Sequence, residues 1–118
     1  MKFSILLFAL YQILKRAAKK NDAFRNYIRP MRARILIRTA DGQRGRLFIF
    51  NKGVISSVAG NQRTFDAALV WQDAATGFSV MTDKRPDASF NAAADGKLTV
   101  EGMSVYAQWF EDGIKLVL

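Results

Sequence analysis

The chain has 118 residues and contains neither histidine nor cysteine. Its reactive groups are therefore carboxylates, hydroxyls and a surplus of arginine and lysine. Without histidine it lacks the usual general base near neutral pH and the commonest metal ligand. Asp83, Asp87, Asp95 and Asp112 fall in predicted turns beside glycine, proline or basic residues. A carboxylate in such a place is ordinarily solvated or caps a helix, and paired-carboxylate catalysis is disfavoured. No nucleophile elbow, P-loop or dinucleotide glycine fingerprint occurs. The expectation is a non-catalytic protein with no metal site and no cofactor.

Charge is the stronger signal. Residues 1–63 carry fourteen Lys or Arg against two acids, Asp22 and Asp41, and residues 64–118 carry four against eight, within a net charge of +8. A basic front half attracts polyanions, whether an anionic membrane surface, a nucleic acid or an acidic protein. Lys15, Arg16, Lys19 and Lys20 form one candidate anion-contact group; Arg34, Arg38 and Arg46 form another. The stretch "RGRLFIFN" is superficially similar to the octamer of RNA-recognition motifs through Arg44, Gly45, Phe48 and Ile49. Arg46, Leu47 and Asn51 depart from it, and the order of elements is wrong for that fold. Nucleic-acid binding then rests on electrostatics alone.

The elements that position these groups begin with "MKFSILLFALYQILKRAAKK". Its apolar run resembles the start of a secretory signal, but basic residues stand where a small-residue cleavage site belongs. It is also shorter than the roughly 20 apolar residues that span a bilayer. At helical spacing Gln12, Lys15, Arg16, Lys19 and Lys20 share one face, and Leu6, Leu7, Leu10, Ile13 and Leu14 the opposite one. Ile5 and Phe8 intrude on the polar side, so this helix needs cover from its own core, a membrane surface, a protein partner or a second copy in a homodimer. The pattern continues through Ala23, Phe24, Tyr27 and Ile28, with Pro30 as a stop, giving an N-terminal helix over 1–29.

After Pro30 the period changes to two, and residues 32–71 read as strands with turns at Asp41-Gly42 and Lys52-Gly53. Ala33, Ile35 and Ile37 face the core, with Arg32, Arg34, Leu36 and Arg38 opposite. Hydrophobic matching pairs Ile37 with Leu47 and puts Leu47 and Ile49 on the core face; the Asp-Gly turn alone would set Ile37 against Arg46. The first choice leaves Arg34, Arg38, Arg46, Leu36, Phe48 and Phe50 on one outer face, where an anion or the aromatic rings would offset repulsion. "TFDAALVW" reads as a further, half-covered strand. Short helices follow over 73–94: Asp73 caps the first, which carries Ala75, Phe78, Val80 and Met81, and Pro86 opens the second, which carries Phe90, Ala93 and Ala94. A strand over 97–102 turns Leu98 and Val100 inward. Tyr106, Trp109, Phe110, Ile114 and Val117 mark a C-terminal helix over 104–118, interrupted near Gly113, with a terminal strand from Ile114 as the alternative. The class is α+β in one domain spanning 1–118.

The segments "FDAALVW" (65–71), "DAATGFSVM" (73–81), "FNAAADGKLTVEGM" (90–103) and "SVYAQWF" (104–110) follow in an order that resembles the sterol carrier protein type 2 family, as do the preceding helix and meander. An unusually apolar opening helix and an arginine-rich meander are this chain's departures. The resemblance implies an antiparallel meander extended to a mixed sheet of about five strands, with helices packed on one face over a hydrophobic tunnel. It also implies a non-catalytic carrier of a sterol, fatty-acyl or polyprenyl ligand; some bacterial relatives are similar to accessory proteins of ubiquinone biosynthesis. Carried over by position, the lipid-binding lining is Phe78, Met81, Phe90, Leu98, Val100, Met103, Tyr106, Trp109 and Phe110. Each is also an ordinary core residue type, and only a cavity separates the two roles. The partners expected are an apolar lipid and an anionic membrane surface, in a reducing cytoplasmic setting that suits the lack of cysteine. A protein-interaction scaffold using the N-terminal helix or the Arg/Phe sheet face is the alternative.

Overall fold

The structure is a computed structural model and describes residues 2–83 and 87–117, apart from the side chain of Ser89. Elements follow in the order α1 (Lys2–Lys20), α2 (Asp22–Ile28), β1 (Arg32–Thr39), β2 (Gly45–Asn51), β3 (Val54–Ala59), β4 (Ala67–Trp71), α3 (Ala74–Met81), α4 (Ala88–Ala94), β5 (Leu98–Gly102) and α5 (Ser104–Lys115). The five strands make one mixed sheet, β3-β2-β1-β4-β5, in which only β1 and β4 run parallel. This is the α+β architecture expected from the sequence. Pro86, expected to open the second short helix, lies outside the described residues.

The continuous helix expected over 1–29 is two helices. Asn21 leaves helical geometry, and its side-chain oxygen accepts the Phe24 backbone N–H at 3.0 Å, which caps α2. α1 buries Phe3, Leu7, Leu10, Leu14 and Ala17, a stripe at the three-and-four spacing of an amphipathic helix. Ile13, assigned to the apolar face, is exposed, as are Ile5 and Phe8. After the break, Phe24 and Ile28 are buried, so the Asn21 cap re-aims a second apolar stripe at the core.

The β1–β2 register corrects the sequence reading. Ile37 stands opposite Arg46, Leu36 opposite Leu47 and Ile35 opposite Phe48. Phe48 and Phe50 therefore lie on the helix-covered face with Ala33, Ile35 and Ile37, and Leu47 and Ile49 lie on the other face with Leu36. Arg46 moves with them: it lies on the helix side, its guanidinium 5.3 Å from the Phe8 ring centre and donating to Ser57 Oγ at 2.7 Å. The physical reason is that both faces of β2 are apolar, so alternation cannot choose between them. The turn chemistry does, with Gly42 at positive φ and its N–H bonded to the Thr39 carbonyl.

β4 is also more enclosed than expected, all five of its residues being buried. Ala67, Leu69 and Trp71 join the main core, while Ala68 and Val70 join a smaller cluster with Leu36 and Leu47 on the far face. Its flanking turn depends on Gly102, whose φ is +77° and whose Cα faces the Asp66 carbonyl so closely that a Cβ would sit 2.5 Å from that oxygen. α5 runs through Gly113 without interruption, and no strand begins at Ile114.

Asp73 caps α3 as its sequence indicates, accepting the Thr76 N–H at 2.7 Å, a bond that holds its carboxyl below the usual aspartate range. The only fully buried residue of α3 is Gly77. A Cβ there would lie 2.7 Å from Phe3 Cε1 and 2.9 Å from Trp71 Cγ, so the glycine lets α3 sit directly on the core. Helix propensity alone would make Gly77→Ala stabilising by about 1 kcal/mol. The overpacking reverses that sign, and urea denaturation of Gly77→Ala is expected to show a loss of about 1–3 kcal/mol; an unchanged or raised midpoint would contradict this packing.

Candidate functional site

The richest aromatic grouping lies where α2 and α5 meet the β1/β2 end of the sheet. It is lined by Leu14, Phe24, Tyr27, Ile28, Phe50, Trp109, Phe110, Gly113 and Ile114. Tyr27 stacks on Trp109 with ring centres 5.6 Å apart and planes within 9°. Phe50 meets Trp109 edge-on at 5.0 Å and Phe110 at 5.9 Å, and Phe48 meets Phe110 at 5.7 Å. Such offset and edge-to-face pairs each contribute about 0.5–1.5 kcal/mol beyond burial. Gly113 makes room for Tyr27, since a Cβ would lie 3.0 Å from its ring.

The polar groups here serve the scaffold. Tyr27 donates its hydroxyl hydrogen to the Trp109 carbonyl at 2.8 Å, and Asn21 Nδ2 donates to the Leu116 carbonyl at 3.1 Å. Partial burial, reinforced by the Asp112 charge, pushes the Tyr27 phenol above its ordinary value. The lining is otherwise hydrocarbon and aromatic, suited to an apolar chain. In this structure the walls touch: the free volume for a water-sized sphere is ≈ 0 Å³.

Of the nine residues carried over as a lipid-binding lining, Trp109 and Phe110 reach this crevice. Leu98 is buried opposite Trp71 at the other end of the sheet. Phe78, Met81 and Tyr106 are half-buried. Phe90 and Met103, 76% and 56% exposed, do not face the interior; Val100 shares the helix-covered face with Leu69 but, on the edge strand, is 38% exposed. Phe90 points outward because α4 buries the opposite side of its turn, Ala88 and Ala92. The residues missed, notably Phe24, Tyr27 and Ile28, stand at i, i+3 and i+4 after Asn21. That cap-plus-stripe pattern is the signal that would have found them.

The basic candidates divide. Lys15, Arg16, Lys19 and Lys20 are all exposed on the last turns of α1. Arg34 and Arg38 lie on the outer sheet face with their own acids: Arg34 pairs with Asp66 at 3.5 Å and Arg38 with Glu101 at 3.0 Å. Arg38 also donates to the Thr39 carbonyl at 3.0 Å. Beside this pair runs a shallow, open groove of ≈ 400 Å³ bounded by Arg38, Asp41, Asn61, Arg63, Phe65 and Glu101. Its charges are of both signs and partly neutralise one another. Among the described residues no group of three or more acids is placed to hold a metal ion, and no helix is long and apolar enough to cross a membrane.

Comparison with known proteins bears on the fold. No family model and no curated protein sequence matches the chain. Solved structures do. The UbiJ-SCP2 ubiquinone synthesis protein superposes with a TM-score of 0.70 at 14% identity, over 98% of this chain and 95% of that one. A crystal structure of sterol carrier protein 2 gives 0.65 at 16% identity, over 92% and 93%. Apo sterol carrier protein 2 from Yarrowia lipolytica gives 0.61 at 17% identity, over 97% and 91%.

Two outcomes are expected of the aromatic site. Tyr27→Phe keeps the stack and removes the bond to the Trp109 carbonyl, so chemical denaturation should show a loss of about 1 kcal/mol. Burial raises the Glu111 carboxyl above its ordinary value, Lys115 partly offsetting this and Asp112 adding to it. The folded state then holds this proton more tightly than the unfolded state. The stabilising contribution is complete below the unfolded value and fades as pH rises through the raised folded value. Glu111→Gln should therefore melt at a higher temperature than the parent at neutral pH and at the same temperature in acid.

Proposed function

From the sterol carrier protein 2 fold that the chain adopts over nearly its whole length, we propose that it is a lipid carrier that performs no catalysis. The observation that carries this reading is that fold's helix layer closing over an aromatic crevice lined only by apolar side chains, Tyr27 and glycine. The ligand is an apolar chain of the sterol, fatty-acyl or polyprenyl class. The likeness to a ubiquinone synthesis protein favours an accessory role in quinone or membrane-lipid biosynthesis.

A closed crevice is compatible with carriage on energetic grounds. Each buried methylene gains about 0.8 kcal/mol, so a ten-carbon tail gains roughly 8 kcal/mol. The polar bonds that tie α2 to α5, from Tyr27 and Asn21, contribute about 1 kcal/mol each. Parting α5 from α2 and the sheet would also give up the ring pairs of Trp109 and Phe110, about 0.5–1.5 kcal/mol each, so the ligand must supply apolar contacts in their place. Phe110, Trp109, Phe50 and Tyr27 would line the opened space, joined by Leu98, Met81 and Tyr106 deeper along the helix layer.

The same reading gives α1 the task of docking. Its outward side is apolar in the first turns, at Ile5 and Phe8, and basic in the last, at Lys15, Arg16, Lys19 and Lys20. On an anionic bilayer each near-surface charge contributes about 1 kcal/mol at low salt, while Ile5 and Phe8 enter the interface. Arg34 and Arg38 contribute less, being already paired with acids. The protein is a peripheral, cytoplasmic one in this account.

Two measurements decide it. Native mass spectrometry of the protein purified from cells should show a lipid-sized adduct that organic extraction removes; a clean apo mass in fresh preparations would favour a scaffold. Sedimentation with anionic vesicles should fall steeply with salt while the adduct persists, and salt-independent attachment would contradict the docking role of the α1 cations.

A further inference from the structure

Trp71 ends β4, paired with Thr39 of β1 and Leu98 of β5. It is 2% exposed, in the main core beneath α3 and α1, close to Phe3. Its indole Nε1–H is buried and has no hydrogen-bond acceptor among the described residues. The nearest buried polar side chain along the sheet, Thr39, is committed elsewhere, donating its hydroxyl hydrogen to Asp41 Oδ1 at 2.6 Å. A buried donor without a partner is uncommon in a native core and calls for an explanation. The indole fills more core volume than a phenyl ring would, and it does so with its donor left unpaired.

Trp71 also stands at the far end of the helix-covered face from the aromatic crevice. It is level with Thr39, whereas Phe50 is level with Ala33. Six residues of strand rise separate the two levels, roughly 20 Å. Between them the face is apolar, with Ile35, Ile37, Leu69 and Phe48. An extended apolar molecule lying along β1 and β4 would thus meet mainly hydrocarbon and rings, with the unpartnered Trp71 N–H at one end and Arg46, already bonded to Ser57, to the side on β2. The element over that end is short: α3 has eight residues, of which only Gly77 is fully buried, with Ala74, Val80 and Met81 packed partly against the core.

We propose that the Trp71 indole N–H is the polar anchor of the ligand site, donating to a carbonyl oxygen at the head of a ligand whose tail runs toward Trp109. The anchor rests on the carrier reading and narrows it. The ligand class is an apolar chain with a neutral carbonyl head, such as a ketone, quinone or ester, and not a plain hydrocarbon.

Methyl nonyl ketone and undecane share a carbon skeleton and differ in the carbonyl alone. Titrated into nitrogen-labelled protein, the ketone should move the Trp71 indole N–H resonance, recognised as the one missing from Trp71→Phe, and its affinity relative to undecane should be about 10-fold higher in the wild type than in Trp71→Phe. In Trp71→Phe the ketone should lose that advantage while undecane keeps its affinity. Binding of both compounds with the same relative affinity in the wild type and Trp71→Phe, and a stationary Trp71 resonance, would overturn the anchor and leave the carrier reading standing. Binding of neither would overturn both. If Trp71→Phe fails to fold, selective labelling of indole nitrogens in the wild-type protein, with Trp109→Phe to distinguish the two resonances, decides the matter.

Discussion

The parallel pairing of β1 with β4 is the constraint on which the rest of the structure depends. Ile35 to Thr39 align with Ala67 to Trp71, which places the second half of the chain beside the first rather than after it. Parallel neighbours require a crossover, and strands placed this way are covered on both faces. β4 is accordingly buried at every residue. Through that seam Trp71 comes under α1 and α3, β5 gains an edge to pair with, and α5 is delivered across β1 and β4 to meet Phe48 and Phe50. Losing the seam would separate Trp109 and Phe110 from the aromatic residues of the first half.

The two faces of the sheet solve different problems. One is covered by all five helices and holds the large side chains. The other has no helix in its apolar cluster, which consists of Leu36, Leu47, Ala68 and Val70 with Ile49 and Phe65 against them. Long arginine stems finish the cover there, since guanidinium heads reach water while their methylenes lie over apolar surface. Asp66 and Glu101 hold those heads in place. As partly exposed pairs they are worth about 0–1 kcal/mol each, so they act mainly by fixing where the stems lie. Four of the remaining cations, Lys15, Arg16, Lys19 and Lys20, are exposed together on the last turns of α1.

The sequence was most informative where a single physical signal spoke without competition. Strand order, the Asp73 cap and the Lys52-Gly53 turn could be read from period and turn chemistry, while the mixed sheet came from the family resemblance; Lys52 and Gly53 do both adopt positive φ. Legibility failed where two signals conflicted or where one residue changed direction. In β2 both faces are apolar, so pattern matching put Phe48 and Phe50 on the wrong side and only the turn held the register. At Asn21 one cap splits a continuous helical period, and the aromatic site depends on the change of direction that follows. Phe90 was legible as apolar but not as exposed, because in a seven-residue helix of small side chains alanines can take the buried side.

A packed interior and a ligand site are usually opposed, but here the same residues can serve both. The aromatic contacts among Tyr27, Trp109, Phe50 and Phe110 are several, and each is individually modest. Rings that trade one apolar neighbour for another lose little, whereas a polar lining would have to surrender hydrogen bonds before admitting a chain. Among the described residues, the side-chain hydrogen bonds that tie α5 to the α2 segment are those of Asn21 and Tyr27. The sheet face beneath is held by strand pairing that a ligand need not disturb. Stability therefore resides mainly in the sheet and in the α1 stripe, and plasticity in the short helices and α5. Under the proposed carrier role, that division would let the protein stay folded with the space closed and let a sufficiently long apolar tail open it.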